Sequence, residues 1–253
     1  MDRLAFTAVS AVNEQRIARQ QLVHEIANVN TVGFKRSYDS SLKAMQAQGA
    51  GHPTRFQPLA FSIDLIQLAA GPVMVTGRPL DVAMSHESVL GVTAANNELA
   101  FTRRGDLRIS PTGILEIGSG QAVRGEGGGP ITVPQGFVIS IGDDGSVFAS
   151  DPAQAGVRPQ VVGRMLLRDA SQTRLIRRED GLFSVEGRPG GDITNGTKLP
   201  ALVTNALEGS NVNAIGAMVK MLDQARTFEA QIRVVKEARS NDESGATMLR
   251  SGA

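Results

Sequence analysis

The chain has 253 residues, of which 41% are hydrophobic and 20% charged. A chain of this length and composition can bury a substantial core, so a globally disordered protein is excluded. The formal net charge of +1 argues against a nucleic-acid partner, and the absence of cysteine excludes disulfides and thiolate metal sites. Aromatic residues make up only 4%, which lowers the expectation of an aromatic-lined enzyme pocket.

The N-terminal segment, residues 1–32, is predicted to be a helix. Its many Ala, Gln, Glu and Arg residues favour helix formation. One heptad register, interrupted at Gln15, holds the apolar residues expected to face a partner: Leu4, Ala8, Ala11, Ala18 and Leu22. The turn-forming run Asn-Val-Asn-Thr-Val-Gly at residues 28–33 predicts the end of this helix.

Residues 33–75 are predicted to form a mixed connector. A helix is expected over residues 37–48, and the breaker run at 49–53 ends it. Residues 61–66 are predicted to form a short strand. The apolar stretch 59–77 contains Asp64 and Pro72, so no lipid-spanning segment is expected.

Residues 76–200 are predicted to form an all-β domain, a sandwich or a barrel-like sheet. Short runs of alternating apolar residues are separated by Gly- and Pro-containing turns along this segment. The clearest hairpin is predicted at residues 137–149, where the turn Gly-Asp-Asp-Gly separates two apolar strands.

The C-terminal segment, residues 201–253, is predicted to contain a long helix starting near Asn211 that pairs with the segment 1–32. Six residues follow alternating steps of three and four: Met218, Met221, Ala225, Phe228, Ile232 and Val235. The predicted fold is therefore α+β, with an all-β central domain flanked by terminal helices that pair as a coiled coil.

No catalytic constellation is recognisable between the two helices. The three histidines are not at a metal-binding spacing, and the glycine-rich run 125–130 is not followed by the Lys-Ser/Thr of a phosphate loop. We expect no catalytic residue, no cofactor and no metal, and hence no enzyme. The basic pairs at 103–104 and 177–178 are interpreted as solvent-exposed charges.

Four short blocks, spread over most of the chain, carry a family resemblance. They are Ile-Ala-Asn-Val-Asn-Thr-Val-Gly-Phe-Lys at 26–35, Thr-Gly-Arg-Pro-Leu-Asp-Val-Ala at 76–83, Phe-Thr-Arg-Arg-Gly at 101–105 and Leu-Glu-Gly-Ser-Asn-Val at 207–212. Their order and spacing resemble those of the axial proteins of the bacterial flagellum, the rod and hook family. The family usually has an aromatic-rich strand after the second block, whereas residues 85–92 contain no aromatic.

The resemblance implies a structural subunit of the basal-body rod, most similar to the proximal-rod members, with the distal-rod members as the alternative. It also implies export by the flagellar type III machinery without a cleaved signal peptide, and a periplasmic location in the basal body. The implied partners are other flagellar rod proteins and copies of the chain itself, assembled helically. The residues that carry the family signature and connector geometry are Asn28, Asn30, Thr31, Gly33, Phe34, Asp81, Ser210 and Asn211.

Gly33 has two possible roles at the end of the first helix. Glycine adopts a left-handed conformation that other residues resist, so Gly33 could fix the angle at which the connector leaves the helix. Alternatively, it is a routine helix stop, which would tolerate Gly33→Ala at a cost of about 1 kcal/mol.

Three other interpretations of the whole chain stay open at this point. One is an ordinary α+β globular protein whose helices cover a sheet, and another is a β-sandwich enzyme with terminal helices. The third is a free adaptor with a terminal coiled coil. Measured turnover would favour the enzyme. A defined oligomer in measurements of size against concentration would favour the adaptor, whereas a rod protein should polymerise or stay monomeric.

Overall fold

The computed structural model describes residues 2–38, 41–46, 56–61, 64–154, 157–194 and 196–251. The chain divides into two compact units. The helix unit comprises residues 1–27, 39–63 and 213–253, and the β unit comprises residues 28–38 and 64–212. The predicted α+β class, with a mainly β central region between terminal helices, is confirmed.

The helix unit contains α1 (Asp2–Ala27), α2 (Ala214–Ser251) and a hairpin of two antiparallel strands. The two helices pack against each other. The hairpin consists of β1 (Ser41–Gln46) and β2 (Phe56–Phe61). The helix predicted over residues 37–48 is therefore wrong for residues 41–46. The backbone N–H and C=O groups of this segment form hydrogen bonds with β2, and a helix would have paired them within the segment instead.

Asn213 defines the start of α2. Its side-chain oxygen accepts a hydrogen bond from the backbone N–H of Gly216 at 2.9 Å, as an N-cap residue does. Its carbonyl oxygen accepts the first helical bond from Ala217 at 2.9 Å. The helix therefore begins at Ala214, three residues later than the sequence indicated.

The β unit contains fourteen strands within the described residues. They are β3 (Val73–Val75), β4 (Val82–Met84), β5 (Ser88–Thr93), β6 (Leu99–Thr102), β7 (Leu107–Ile109), β8 (Leu115–Ile117), β9 (Val138–Ile141), β10 (Ser146–Ser150), β11 (Gln160–Arg164), β12 (Leu167–Asp169), β13 (Leu175–Arg177), β14 (Phe183–Val185), β15 (Leu202–Thr204) and β16 (Ala206–Glu208). The hairpin predicted at 137–149 corresponds to β9 and β10.

All of these strands pair antiparallel. The largest sheet has five strands in the order β12-β5-β6-β14-β13, and a three-stranded sheet has the order β11-β10-β9. Three two-stranded ribbons, β15-β4, β16-β3 and β7-β8, complete the unit. Two of these ribbons join strands before residue 85 to strands after residue 201, so both edges of the predicted 76–200 domain are extended by its flanking segments.

The five-stranded sheet carries an apolar core on each face. Leu90 and Ala100 belong to one buried cluster, whereas Val89 and Phe101 belong to the other. This division follows from the alternation of side chains across a strand. The strand β5 is buried over residues 88–92 without an aromatic side chain, so the departure from the family pattern noted above is compatible with a closed core.

Connector residues also join the β unit. Leu65 forms a bridge to Ile176 of β13, and Ser37 forms a bridge to Ile66. Of the strand predicted at 61–66, Phe61 belongs to β2 and residues 62–63 lie outside the described residues. The segments 64–66 and 36–38 thereby extend the edge of the five-stranded sheet. Among the described residues, no helix has the length and apolar character needed to cross a membrane.

Candidate assembly site

Three charged residues from distant parts of the chain meet inside the β unit. We call them the charged junction: Lys35, Arg103 and Glu208, whose side chains are 0%, 0% and 1% exposed. The Lys35 ammonium donates to Oε1 of Glu208 at 2.6 Å, and Nε of Arg103 donates to Oε2 at 2.8 Å. One carboxylate therefore compensates two buried cations. The pair at 103–104 was interpreted as solvent-exposed, and for Arg103 that interpretation is wrong.

Backbone groups satisfy the remaining polar atoms of the charged junction. Arg103 donates to the carbonyl oxygens of Met84 at 3.0 Å and Ser88 at 2.8 Å, and Lys35 donates to that of Ala69 at 2.9 Å. The backbone N–H of Gly71 donates to Oε1 of Glu208 at 2.9 Å. Burial of these charges is tolerated because nearly every donor and acceptor is paired.

The charged junction brings three of the four signature blocks together. Lys35 follows Gly33, Arg103 lies in the third block and Glu208 lies in the fourth. Gly33 was predicted from the sequence, whereas the roles of these three charged residues were not. Their presence inside blocks of otherwise small and apolar residues was the available signal, because a charge inside a buried motif requires a partner.

Gly33 is positioned by the same junction. Its backbone N–H donates to the carbonyl oxygen of Glu208 at 2.7 Å, and its φ is +66°. A Cβ added to Gly33 would lie 2.3 Å from the carbonyl oxygen of Arg103 and 2.6 Å from the backbone nitrogen of Arg104. Both the backbone conformation and the space therefore require glycine here.

The other residues of the first block surround this glycine. The hydroxyl of Thr31 donates to Oδ1 of Asn28 at 3.1 Å, and the N–H of Phe34 donates to the carbonyl of Thr31 at 3.2 Å, so the chain turns tightly after α1. The Phe34 ring lies 4.5 Å from the guanidinium carbon of Arg177, a cation–π distance. Asn30 is exposed.

Asn211 links two segments of the connector. Its Oδ1 accepts from the N–H of Arg36 at 2.7 Å, and its Nδ2 donates to the carbonyl of Gln67 at 2.8 Å. Ser210 is buried, and its hydroxyl oxygen accepts from the N–H of Val212 at 3.2 Å. The fourth block therefore holds the connector against the β unit through side chains as well as through the charged junction.

Asp81 is buried beside the ribbons. Its carbonyl oxygen accepts from the N–H of Ala206 at 3.3 Å, and the residue forms a bridge to Asp106. The Arg78 guanidinium lies 3.6 Å from its Oδ1. Asp81 thus joins the second block to β16 and to the residue that directly follows the third block.

Burial sets the protonation behaviour of Lys35. It lowers the pKa of Lys35 from 10.5 to about 8, and the neighbouring Arg103 adds to this effect while Glu208 opposes it. Burial likewise lowers the pKa of Arg103, opposed mainly by Glu208. Lys35 is the member of the charged junction expected to lose its proton at moderately alkaline pH.

We expect Lys35 to make the stability of the β unit rise with pH above about 8. The unfolded chain holds this proton up to the ordinary pKa of 10.5, so the unfolded state binds more protons than the folded state between those two values. Urea titrations of the wild type and Lys35→Met from pH 7 to 10 measure the effect. The free energy of unfolding of the wild type, relative to the variant, should increase with pH, and a flat or falling difference contradicts the assignment.

In the helix unit, α1 and α2 run in opposite directions. Residues 18–25 of α1 line one cleft with residues 220–227 of α2, and residues 12–19 line a second cleft with Gln224 and Phe228. Leu22 is buried in this contact, and Ala11 and Ala18 are half-buried. The side chains of Leu4 and Ala8 lie outside the described residues.

The line of contact along α2, which we call the helix seam, differs from the predicted stripe. It follows steps of four and three through Ala217, Met221, Gln224, Phe228, Gln231, Val235 and Ala238. Ala217 and Ala238 are buried, whereas the predicted Met218 and Ala225 are exposed. Ile232 is half-buried beside this line. The observed line differs because it includes small and polar residues, which a search for apolar periodicity does not detect.

Comparisons with known proteins identify relatives over almost the whole chain. A family described as "Flagellar basal body rod FlgEFG protein C-terminal" matches residues 203–248, which include β16 and most of α2. Flagellar basal-body rod protein FlgF of Escherichia coli K12 is 35% identical over 246 residues, covering 95% of this chain and 96% of the relative. The chain belongs to the flagellar basal-body rod protein family.

Further relatives of this rod protein include both named subtypes. FlgF of Salmonella typhimurium LT2 is 34% identical over 247 residues, covering 96% of each chain. FlgG of Bacillus subtilis 168 is 28% identical over 258 residues, covering 93% of this chain and 94% of the relative. The predicted role as a structural rod subunit, and not an enzyme, is confirmed by this membership.

Proposed function

We propose that this rod protein is a proximal-rod subunit that joins the helical shaft of the basal body through its terminal helices. The identities of 35% and 34% to FlgF of Escherichia coli and Salmonella typhimurium, against 28% to FlgG of Bacillus subtilis, support the proximal position. The proposed partners are other rod proteins and further copies of the chain. The charged junction holds the connector on the β unit, so that the subunit presents a defined surface to its neighbours.

This proposal depends on an exposed apolar stripe on α2. It consists of Ile215, Met218, Val219 and Leu222, which are 76%, 56%, 52% and 62% exposed. At 100° per residue the stripe lies roughly opposite the helix seam, so α1 leaves it uncovered. Beyond Leu222 the same face becomes charged, with Arg226, Glu229 and Arg233. An apolar patch of this kind marks a surface for another protein.

The strength of one such contact suits a subunit that assembles only within a lattice. Burying each large apolar side chain contributes about 1.5–3 kcal/mol. Association itself costs about 4–15 kcal/mol before any net binding appears. A single stripe therefore binds weakly, and stable incorporation requires several neighbours at once. This behaviour supports a chain that stays separate during delivery and polymerises at the rod.

We propose a periplasmic position in the basal body and export through the flagellar type III machinery without removal of a signal peptide. The contribution of α1 to the helix seam supports retention of its residues, because cleavage within Asp2–Ala27 would remove one of the two paired helices. Sequencing the N-terminus of the protein from isolated basal bodies tests this part.

Leu222→Asp should abolish swimming while leaving the purified monomer as stable as the wild type. The carboxylate is free in the monomer because Leu222 is exposed, but it would be desolvated under a neighbouring subunit. The measurements are motility of a complemented null strain and far-UV circular dichroism of the purified chain. Ala230→Asp places the same charge on an exposed residue two turns further along and should swim normally. Normal rods containing Leu222→Asp would rule out the stripe as an assembly surface.

A further inference from the structure

The segment that completes the β unit comes from the far end of its sequence. We call residues 201–211 the closing segment. Its strands β15 and β16 pair with β4 and β3, which lie near the start of the unit. The carbonyl of Glu208 also accepts from the N–H of Gly33 at 2.7 Å, and the N–H of Gly209 donates to the carbonyl of Pro72 at 2.8 Å. The closing segment therefore contacts the connector through backbone hydrogen bonds as well as through the charged junction.

The two apolar clusters of the β unit depend little on the closing segment. In the described part of the chain, Leu202 is its single contribution to them. Ile66 comes from the connector, and every other member lies within residues 82–193. Contacts between residues close in sequence form at a lower entropic cost than contacts between distant ones. The apolar core can therefore form before the closing segment arrives.

The site that receives the Glu208 carboxylate is built by the core itself. Arg103 donates to three carbonyl oxygens of β4, β5 and the turn between them, at 2.5–3.0 Å: those of Met84, His86 and Ser88. These acceptors are neutral, so the core alone presents a buried cation that Glu208 later compensates. Burial lowers the pKa of Arg103, and Glu208 opposes this effect more than the half-exposed Glu87 does.

Repulsion between like charges sets the order in which the connector docks. Burial lowers the pKa of Lys35, and the neighbouring Arg103 lowers it further, whereas Glu208 raises it. Docking of Lys35 without Glu208 would bury two cations beside each other. Glu208 offsets this repulsion because each of its oxygens binds one cation, Oε1 at 2.6 Å from Nζ and Oε2 at 2.8 Å from Nε. We therefore expect Lys35 to dock with Glu208 or after it, but not before it.

We propose that the closing segment is a latch, which holds the connector on the β unit only after the C-terminal part of the same chain has arrived. The apolar core of residues 82–193 forms first. Glu208 then docks on Arg103, and the connector that carries Lys35 follows. Two distant segments thus dock on a core that is already in place, and the charged junction makes the second docking depend on the first.

Asn211 extends this latch to the segments that lead to both helices. Its backbone N–H donates to the carbonyl of Phe34 at 3.3 Å, and its Oδ1 accepts from the N–H of Arg36 at 2.7 Å. The segment that follows α1 and the segment that precedes α2 are therefore bonded to each other at this point. The consequence rests on the proposed function: a rod subunit whose closing segment has not docked lacks a fixed base for its helices and is not incorporated.

Refolding of the full-length protein tests the order of the steps without any substitution. The chain is unfolded briefly in urea, so that its prolines keep their native isomers, and is then diluted at pH 7. Pulsed hydrogen exchange with mass spectrometry follows each segment. Peptides covering β5 and β6 should gain protection roughly tenfold faster than peptides covering residues 33–38. Tyr38, the single tyrosine of a chain without tryptophan, reports connector docking independently by fluorescence. Simultaneous protection of both regions would overturn the proposal.

Two substitutions test the electrostatic cause. Glu208→Gln should slow the protection of residues 33–38 by roughly tenfold or more and leave that of β5 and β6 unchanged, because only connector docking brings the two cations together. Adding Lys35→Met to the same chain removes the repulsion and should restore most of the lost rate. Glu186→Gln, in the exposed ion pair with Arg174, is the control and should change neither rate. Equal slowing of both regions, or no recovery with Lys35→Met, contradicts the latch.

A further variant weakens the same docking without changing any charge. Asn211→Ala removes the hydrogen bonds to Arg36 and Gln67, so it should also slow the protection of residues 33–38 selectively. Slowing of the core peptides to the same extent would again contradict the latch.

Motility tests the consequence for assembly separately. Cells that carry Glu208→Gln should lose swimming, and normal swimming in spite of slow connector docking would overturn the dependence of incorporation on the latch. Failure of the proposed function appears elsewhere, as normal rods and swimming with Leu222→Asp, because the refolding measurements use the monomer alone.

Discussion

Glu208→Gln should lower the free energy of unfolding of the β unit by about 3–5 kcal/mol, because it leaves two fully buried cations without an anion. The amide keeps the shape of the side chain but not its charge. A loss of this size is a large part of the roughly 5–15 kcal/mol that holds an ordinary domain together. Urea unfolding of the full-length protein, followed by far-UV circular dichroism, measures it.

Glu186→Gln is the matched control for this loss. Glu186 lies 3.9 Å from Arg174 in a solvent-exposed ion pair, which contributes about 0–1 kcal/mol. Lys35→Met in the Glu208→Gln background should recover part of the lost stability, because it removes one of the two uncompensated cations. A loss below about 1 kcal/mol for Glu208→Gln would show that the carboxylate is dispensable and that the backbone carbonyls alone hold the cations.

Gly33→Ala should destabilise the β unit by about 2–5 kcal/mol, well above the cost of a routine helix stop. The left-handed φ of +66° strains any residue with a Cβ, and that atom would overlap the backbone of Arg103 at 2.3 Å. The backbone N–H that donates to Glu208 would have to move away to relieve the overlap. The free energy of unfolding from urea titration is the measurement.

Gly77→Ala separates the effect of backbone strain from the effect of steric overlap. Gly77 has a similar φ of +73°, but an added Cβ would meet nothing within 4 Å, so only the backbone strain of about 1 kcal/mol applies. The difference between the two variants therefore measures the steric term at Gly33. If both variants lost the same free energy of unfolding, Gly33 would be only a routine helix stop. The contact of an added Cβ with residues 103–104 would then contribute nothing to the destabilisation.

Local sequence patterns predicted the main elements because they report which side of an element is buried. Alternation of apolar residues places Val89 and Leu90 on opposite faces of one strand, and both faces are buried in the structure. Turn residues such as Gly142 to Gly145 separate β9 from β10 as expected. The sequence likewise predicted the two terminal helices and contained the four family blocks.

Only the tertiary structure decided which polar groups meet. Lys35 and Glu208 are 173 residues apart, and no local pattern pairs two such charges. The same holds for the position of the helix seam, since periodicity selects large apolar residues, whereas the seam also includes Ala217, Gln224 and Ala238. Segment 41–46 shows the limit most directly: its backbone became β1 because β2 supplied hydrogen-bond partners that lie outside the segment itself. The local sequence determines which apolar side chains are buried. The partners of buried charges and backbone groups come from distant segments, so only the tertiary structure determines the charged junction and the helix seam.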